Sequence, residues 1–172
     1  MLEFAAKYHK RIRLEMRRSN EAGNEYNLRQ IDDNDMMQLL MTIKSPEDSL
    51  YLGLKIECLV NVPSEYPFKA PKFRFLTPIK HMLVSPTTGS PCISILDRDV
   101  WSPATTLVMI AKHVEEHLFQ TPTRDQVDQA SCYTIDPELL DMARGSLDQY
   151  SAVVKHHSQA IINKNVAVRS IW

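Results

Sequence analysis

Cysteine is scarce in this sequence: three in 172 residues, at Cys58, Cys92 and Cys132, with no CxxC pair among them. Such spacing supplies neither the paired thiolates of a zinc knuckle nor a disulfide framework, and the three read as free thiols of a reducing compartment. An excess of one charge is missing too. Lysine plus arginine, at 20, nearly cancel aspartate plus glutamate, at 21, for a net charge of −1, a balance that builds no long-range field for nucleic acid or an anionic membrane. No stretch approaches the roughly 20 apolar residues of a membrane span. The opening MLEFAAKYHKRIRLEMRR also lacks the uninterrupted apolar run of a secretory signal. Internal repeats, low-complexity tracts and a linker to a second domain are absent. The expectation is a single domain over residues 1–172, facing the cytoplasm, with no nucleic acid and no direct membrane insertion, and with residues 165–172 as a loose tail.

What is present is enough apolar material for a core, 44% of the chain, in patterns that change along it. From Lys7 to Arg18 the residues Tyr8, Ile12 and Leu14 stand among basic ones without Gly or Pro, which predicts a short amphipathic helix with a basic outer face. From Leu50 to Val62 every even position is apolar, a period of two that predicts a half-buried strand. Met37–Lys44 and Lys72–Leu76 read as its neighbours, joined through Ser45-Pro46-Glu47-Asp48 and a proline-rich turn. Between Thr77 and Leu96 neither period persists. Seven of the ten prolines fall between Pro63 and Pro103, so this stretch reads as a rigid loop pinned by fixed backbone angles, which suits an active site. Thr105 or Thr106 then caps a helix carrying Leu107, Ile110, Ala111, Val114 and Leu118 at i, i+3, i+4 spacing. A further helix starts near Pro137, and another bears Tyr150, Val153, Val154, His157 and Ile161 on one face. Helix, strands, long loop, helices is the order of an α+β domain.

Three constellations can carry chemistry. His113-Val114-Glu115-Glu116-His117 fits an H-x-x-E-H metallopeptidase pattern, with both imidazoles on one helix face as zinc ligation needs. Only Glu138 remains downstream as a glutamate ligand, and the plainer reading is two exposed histidines beside a core stripe, so no metal site is expected. The second is a thiol hydrolase with Cys92 as nucleophile and His81 as base. A thiol of pKa about 8.5 is only slightly ionised at neutral pH and needs such an imidazole. The Gly-rich, aromatic surroundings usual for hydrolase cysteines are missing.

The third is larger. Tyr66 to Phe75 (YPFKAPKFRF), then His81, then Gly89 to Leu96 (GSPCISIL), then Trp101-Ser102-Pro103-Ala104 resemble the ubiquitin-conjugating enzyme family in order and spacing. The resemblance runs upstream through Asp33-Asn34 and downstream to Phe119. It implies that family's fold: an N-terminal helix, a four-stranded antiparallel meander, a long active-site loop and C-terminal helices. It also implies that Cys92 accepts ubiquitin from the thioester of an activating enzyme and passes it to an acceptor lysine, cysteine or ligase. No cofactor is implied for this chain, because ATP is spent by the activating enzyme. Phe68, Ser102, Pro103 and Ala104 would dock a RING-type ligase, and Lys7, Lys10 and Arg11 would meet the activating enzyme. For Phe68 and Trp101 the competing reading is core packing.

The chain departs from the family around this loop. His81-Met82-Leu83 stands where members carry His-Pro-Asn, so the asparagine credited with stabilising the oxyanion is replaced by a side chain that donates no hydrogen bond. Losing one such donor can cost about 3 kcal/mol of transition-state stabilisation. The aspartate usual two residues after the cysteine is Ser94, and the acidic gate becomes Thr123-Arg124-Asp125-Gln126, leaving Asp125 as its acid. Two outcomes stay open: an enzyme that transfers mainly to thiols, which need less help than amines, or a silent variant that binds ubiquitin or a ligase as a module. The retained Cys92 favours the first. A narrower resemblance joins Pro86-Thr87-Thr88-Gly89 and Gly145–Lys155 to the peroxisomal, peroxin-4-like branch. That branch modifies an import receptor, including on a cysteine, and is recruited to the cytosolic face of the peroxisomal membrane by an anchor protein.

Overall fold

The four strands form one antiparallel meander in the order β1 (Tyr26–Asp32), β2 (Asp35–Lys44), β3 (Lys55–Asn61) and β4 (Lys72–Phe75). The computed structural model describes residues 2–21, 26–33, 35–130 and 135–169, with the side chains of 2–8 and 166–169 outside that description. Strand register explains the one-sided core. Leu28, Met41, Cys58 and Phe75 lie in a single row across all four strands, flanked by the rows Tyr26–Ile43–Ile56 and Leu39–Val60–Phe73. All of these are buried. Alternation of side chains along each strand puts each row on the same face of the sheet.

One expectation needs correction here. The strand read from Leu50 starts at Lys55. Residues 45–54 form turns, held by the Ser45 hydroxyl, which donates to the carbonyls of Tyr51 at 2.8 Å and Leu54 at 3.0 Å. Gly53 supplies a φ of +81° that an L side chain adopts only under strain. Leu50 and Leu54 are buried from within that turn while Leu52 is 57% exposed, so the period-two spacing continued by coincidence. Of the tail at 165–172, residues 165–169 continue the last helix, and 170–172 lie outside the described residues.

The sequence places the helices by their apolar stripes. α1 (Leu2–Ser19) turns Ile12, Glu15 and Ser19 inward. α2 (Leu107–Leu118) buries the five residues its spacing singled out, and Thr106 is its N-cap, accepting from the Met109 N–H at 3.1 Å. α3 (Arg124–Ala130) is short. α4 (Pro137–Gly145) starts with Pro in its first turn and is capped by Asp136, which accepts from the Leu139 N–H at 3.1 Å. α5 (Leu147–Arg169) packs against α4 and buries Tyr150 and Val154.

One buried carboxylate ties these pieces together. Glu15, 2% exposed, accepts from the Tyr66 hydroxyl and from Arg11 Nε at 2.5 Å each, and from the Leu107 N–H at 2.6 Å. Arg11 also donates to the Thr105 carbonyl at 3.2 Å. Thus α1 satisfies an orphan amide at the start of α2, and a buried charge keeps its partners.

Candidate active site

Cys92 stands in the irregular loop between β4 and α2, held by main chain on both sides. Its N–H donates to the Leu83 carbonyl at 2.8 Å, and Val84 pairs with Pro91 in an isolated bridge. The intervening lobe folds over Gly89, whose φ is +71°. A Cβ there would lie 2.4 Å from the Phe75 carbonyl oxygen, the same residue whose N–H donates to the Gly89 carbonyl at 2.8 Å. Only glycine fits that approach, so the loop is registered against β4.

His81 does not face the thiol as a base. Its ring is 1% exposed, and Nδ1 accepts from the Leu83 N–H at 3.0 Å. Nε2 therefore carries the hydrogen, buried edge-on to the Tyr150 ring with no hydrogen-bond partner among the described residues. Burial pushes the imidazole pKa down to about 3. His81 orders the loop from inside as a neutral acceptor, and the thiol-hydrolase pair does not form. Leu83 packs its side chain against the core while its backbone N–H and carbonyl bind His81 and Cys92. Main chain thus organises the loop where an asparagine side chain was missed.

The Cys92 thiol is partly exposed at a groove of about 310 Å³. Burial, then the charge of Asp97, holds its pKa above the usual value, so at rest it is a thiol. Ser94 and Asp97 line the groove from the short 3₁₀ turn after the cysteine. His113 and His117 line it from α2, and Gln126 and Gln129 from α3. Asp125 is exposed in the first turn of α3, and its neighbour Gln126 is the one that reaches the groove.

The two histidines of the H-x-x-E-H run do share a helix face, ring centroids 4.1 Å apart. Among the described residues no third His, Cys, Asp or Glu joins them in a group that could hold a metal ion. Asp97, His113 and His117 were missed as neighbours of Cys92. His113 and His117 immediately precede the stripe positions Val114 and Leu118 and so lie beside it on one helix face, but only the fold shows that this face looks onto the loop.

The remaining predicted residues fall into two places. Trp101 Nε1 donates to the Pro67 carbonyl at 2.8 Å, and its ring lies 6.1 Å from that of Tyr66. This clamps two loops side by side, leaving Phe68 70% exposed next to exposed Ser102, Pro103 and Ala104. Phe68 is therefore not core, whereas Trp101 is partly buried against it. On α1, Lys10 is exposed and Arg11 is engaged by Glu15. The Lys7 side chain, Asn34 and Cys132 lie outside the described residues.

Comparison with known proteins agrees with this architecture. Residues 11–137 match the family model for ubiquitin-conjugating enzymes. Human ubiquitin-conjugating enzyme E2 K is 32% identical over 142 residues, covering 81% of this chain and 70% of that protein. Ubiquitin-conjugating enzyme E2 21 of Caenorhabditis elegans is 34% identical over 99 residues, 58% of this chain but only 46% of its own length. PEROXIN-4 of Arabidopsis thaliana is 36% identical over 83 residues, 48% of this chain and 52% of that protein. The chain thus spans about half the length of some relatives it matches. Among solved structures, a Toxoplasma gondii ubiquitin-conjugating E2 domain superposes with a TM-score of 0.72 at 21% identity, covering 89% of this chain and 97% of that one. A meander roofed by α1 and α2, a pinned loop presenting one open thiol, and a family match over most of the residues that build them lead to one assignment: this chain belongs to the ubiquitin-conjugating enzyme family.

Proposed function

We propose that the chain carries ubiquitin as a thioester on Cys92 and passes it to a protein acceptor. The observation that carries this reading is the position of that thiol: partly exposed at the mouth of a groove, on a loop immobilised by main-chain bonds, in a chain of this family. Loading is an exchange of acyl groups. The Cys92 thiol attacks the carbonyl of ubiquitin's thioester on the activating enzyme, the old C–S bond breaks, and the activating enzyme's cysteine regains a proton. Such an exchange conserves the bond type, so it needs no metal and no nucleotide on this chain. The partners this implies are ubiquitin, the activating enzyme and a RING-type ligase. The ligase would dock on Phe68 and Ser102–Ala104, the activating enzyme on the α1 face that bears Lys10.

Acceptor choice follows from what surrounds the thioester. Leu83 offers no side-chain donor to the oxyanion, and Asp125 is turned to solvent beside the groove. An amine acceptor needs both oxyanion stabilisation and loss of a proton from a group of pKa near 10, whereas a thiol ionises about two units lower. A cysteine acceptor is therefore favoured over lysine. Similarity to PEROXIN-4 over 83 residues and the lobe at 86–89 support recruitment to the cytosolic face of the peroxisome through a membrane-anchored partner, with the import receptor as substrate. Among the described residues no helix is long and apolar enough to cross a membrane.

The test is to mix the protein with activating enzyme, ubiquitin and ATP and run gels with and without reductant. A reductant-sensitive adduct that is absent in Cys92→Ala is expected. Its absence in the wild type contradicts the carrier role. Charged protein should then discharge to free cysteine faster than to free lysine, and the reverse order overturns the acceptor assignment. Co-fractionation with peroxisomes that persists after loss of the anchor would contradict the recruitment.

A further inference from the structure

The groove at Cys92 has imidazoles on its far wall, and nothing in the thioester-carrier reading uses them. His113 and His117 project from one face of α2, their ring centroids 4.1 Å apart, into the space that Cys92, Ser94 and Asp97 border from the loop. An acceptor that approaches the carbonyl on Cys92 through this groove meets both rings. We propose that His113, with His117 as its positioning partner, is the proton acceptor of the transfer step, taking the proton that an incoming thiol loses as it attacks the ubiquitin thioester.

The step balances without another reagent. The acceptor S–H bond breaks and its proton moves to the His113 ring. The new thiolate attacks the carbonyl carbon, a C–S bond forms to the acceptor, and the C–S bond to Cys92 breaks. The Cys92 thiolate then takes the proton back from the imidazolium. The surroundings suit both halves of the shuttle. Burial first, then the charge of His117, hold the His113 ring below the ordinary imidazole range against an opposite pull from Glu116, so at neutral pH it is a free base. The raised Cys92 thiol is a leaving group that readily recovers its proton. The charged and titratable groups facing the pair are Asp97 and Cys92 from the loop and Glu116 from α2 itself, while α3 contributes only the amides Gln126 and Gln129. Even with its pKa lowered, an imidazole is better matched to a thiol acceptor of pKa about 8.5 than to a lysine near 10.4.

This inference rests on the thioester-carrier reading, and the experiment separates the two. Wild type, His113→Gln and His117→Gln are each loaded with ubiquitin, loading is stopped, and single-turnover discharge to free cysteine is followed from pH 5.5 to 8.5. His113→Gln, loaded to completion with excess activating enzyme, is expected to discharge on the order of 100-fold more slowly at pH 6.5. The gap should close toward pH 8.5, where the acceptor ionises unaided, and added imidazole should restore part of the rate. In His117→Gln the inflection of the profile should move to higher pH. Wild-type discharge should also slow in D₂O at pH 6.5, a measurement that needs no variant. Wild type that fails to load overturns the carrier reading and this inference with it. A wild type that loads, together with a His113→Gln discharge profile parallel to wild type or no slowing in D₂O, overturns the proton-acceptor role alone.

Discussion

At the scale of single residues, the site is governed by which polar groups are kept neutral. His81 is buried, accepts from the Leu83 N–H and has its pKa pushed down to about 3. The unfolded chain, with an imidazole near 6.5, binds the extra proton first as pH falls. The stability that His81 contributes is therefore whole above about pH 6.5 and is lost progressively between there and pH 3. Urea unfolding at pH 5 should give a free energy lower than at pH 7 by about 2 kcal/mol from this group. NMR should find the His81 ring still uncharged at pH 5, and a ring that titrates near 6.5 would contradict its burial. Gly89→Ala places a Cβ against the Phe75 carbonyl at a φ of +71°. It should cost about 2 kcal/mol by urea unfolding and slow loading as the loop shifts. Cys92 was legible in the sequence because the segments around it resemble the family's, while the prolines marked its loop as rigid. The work of His113 and His117 was not, because their i, i+4 spacing matches a metal motif equally well, and only the fold shows that the face they share looks onto a thiol.

At the scale of elements, legibility tracked the length and purity of the apolar pattern. α2 could be read residue by residue since five apolar positions repeat over 12 residues. β1 offers only Tyr26 and Leu28 as alternating buried positions, and α3 only Val127 and Ala130. Neither rises above the background of a short polar segment, so β1 came only from the family resemblance and α3 went unread. The link between α1 and α2 was equally hidden. Nothing in the helical pattern around Glu15 announces that its carboxylate serves Tyr66, Arg11 and the Leu107 N–H at once. Glu15→Ala should strand that tyrosine hydroxyl and helix amide and cost about 3 kcal/mol, against about 1 kcal/mol for Thr106→Ala, which removes an exposed cap. Equal costs by thermal or urea unfolding would show that the network is dispensable.

At the scale of the whole molecule, the fold presents the Cys92 groove and, separately, the Phe68 and Ser102–Ala104 patch clamped by Trp101, proposed above to dock a ligase. Because Phe68 is 70% exposed, Phe68→Ala should change stability by less than about 0.5 kcal/mol. Loading should be unaffected, and only ligase-stimulated discharge should fall. Loss of loading in that variant would mean that the two surfaces are not independent. Everything turns on one bond at the groove. Intact-protein mass spectrometry of the chain after incubation with activating enzyme, ubiquitin and ATP should show a single added ubiquitin less one water. The adduct should be removed by excess thiol, absent in Cys92→Ala, and converted to a thiol-resistant oxyester in Cys92→Ser. No adduct, or an adduct that survives Cys92→Ala, would contradict the account.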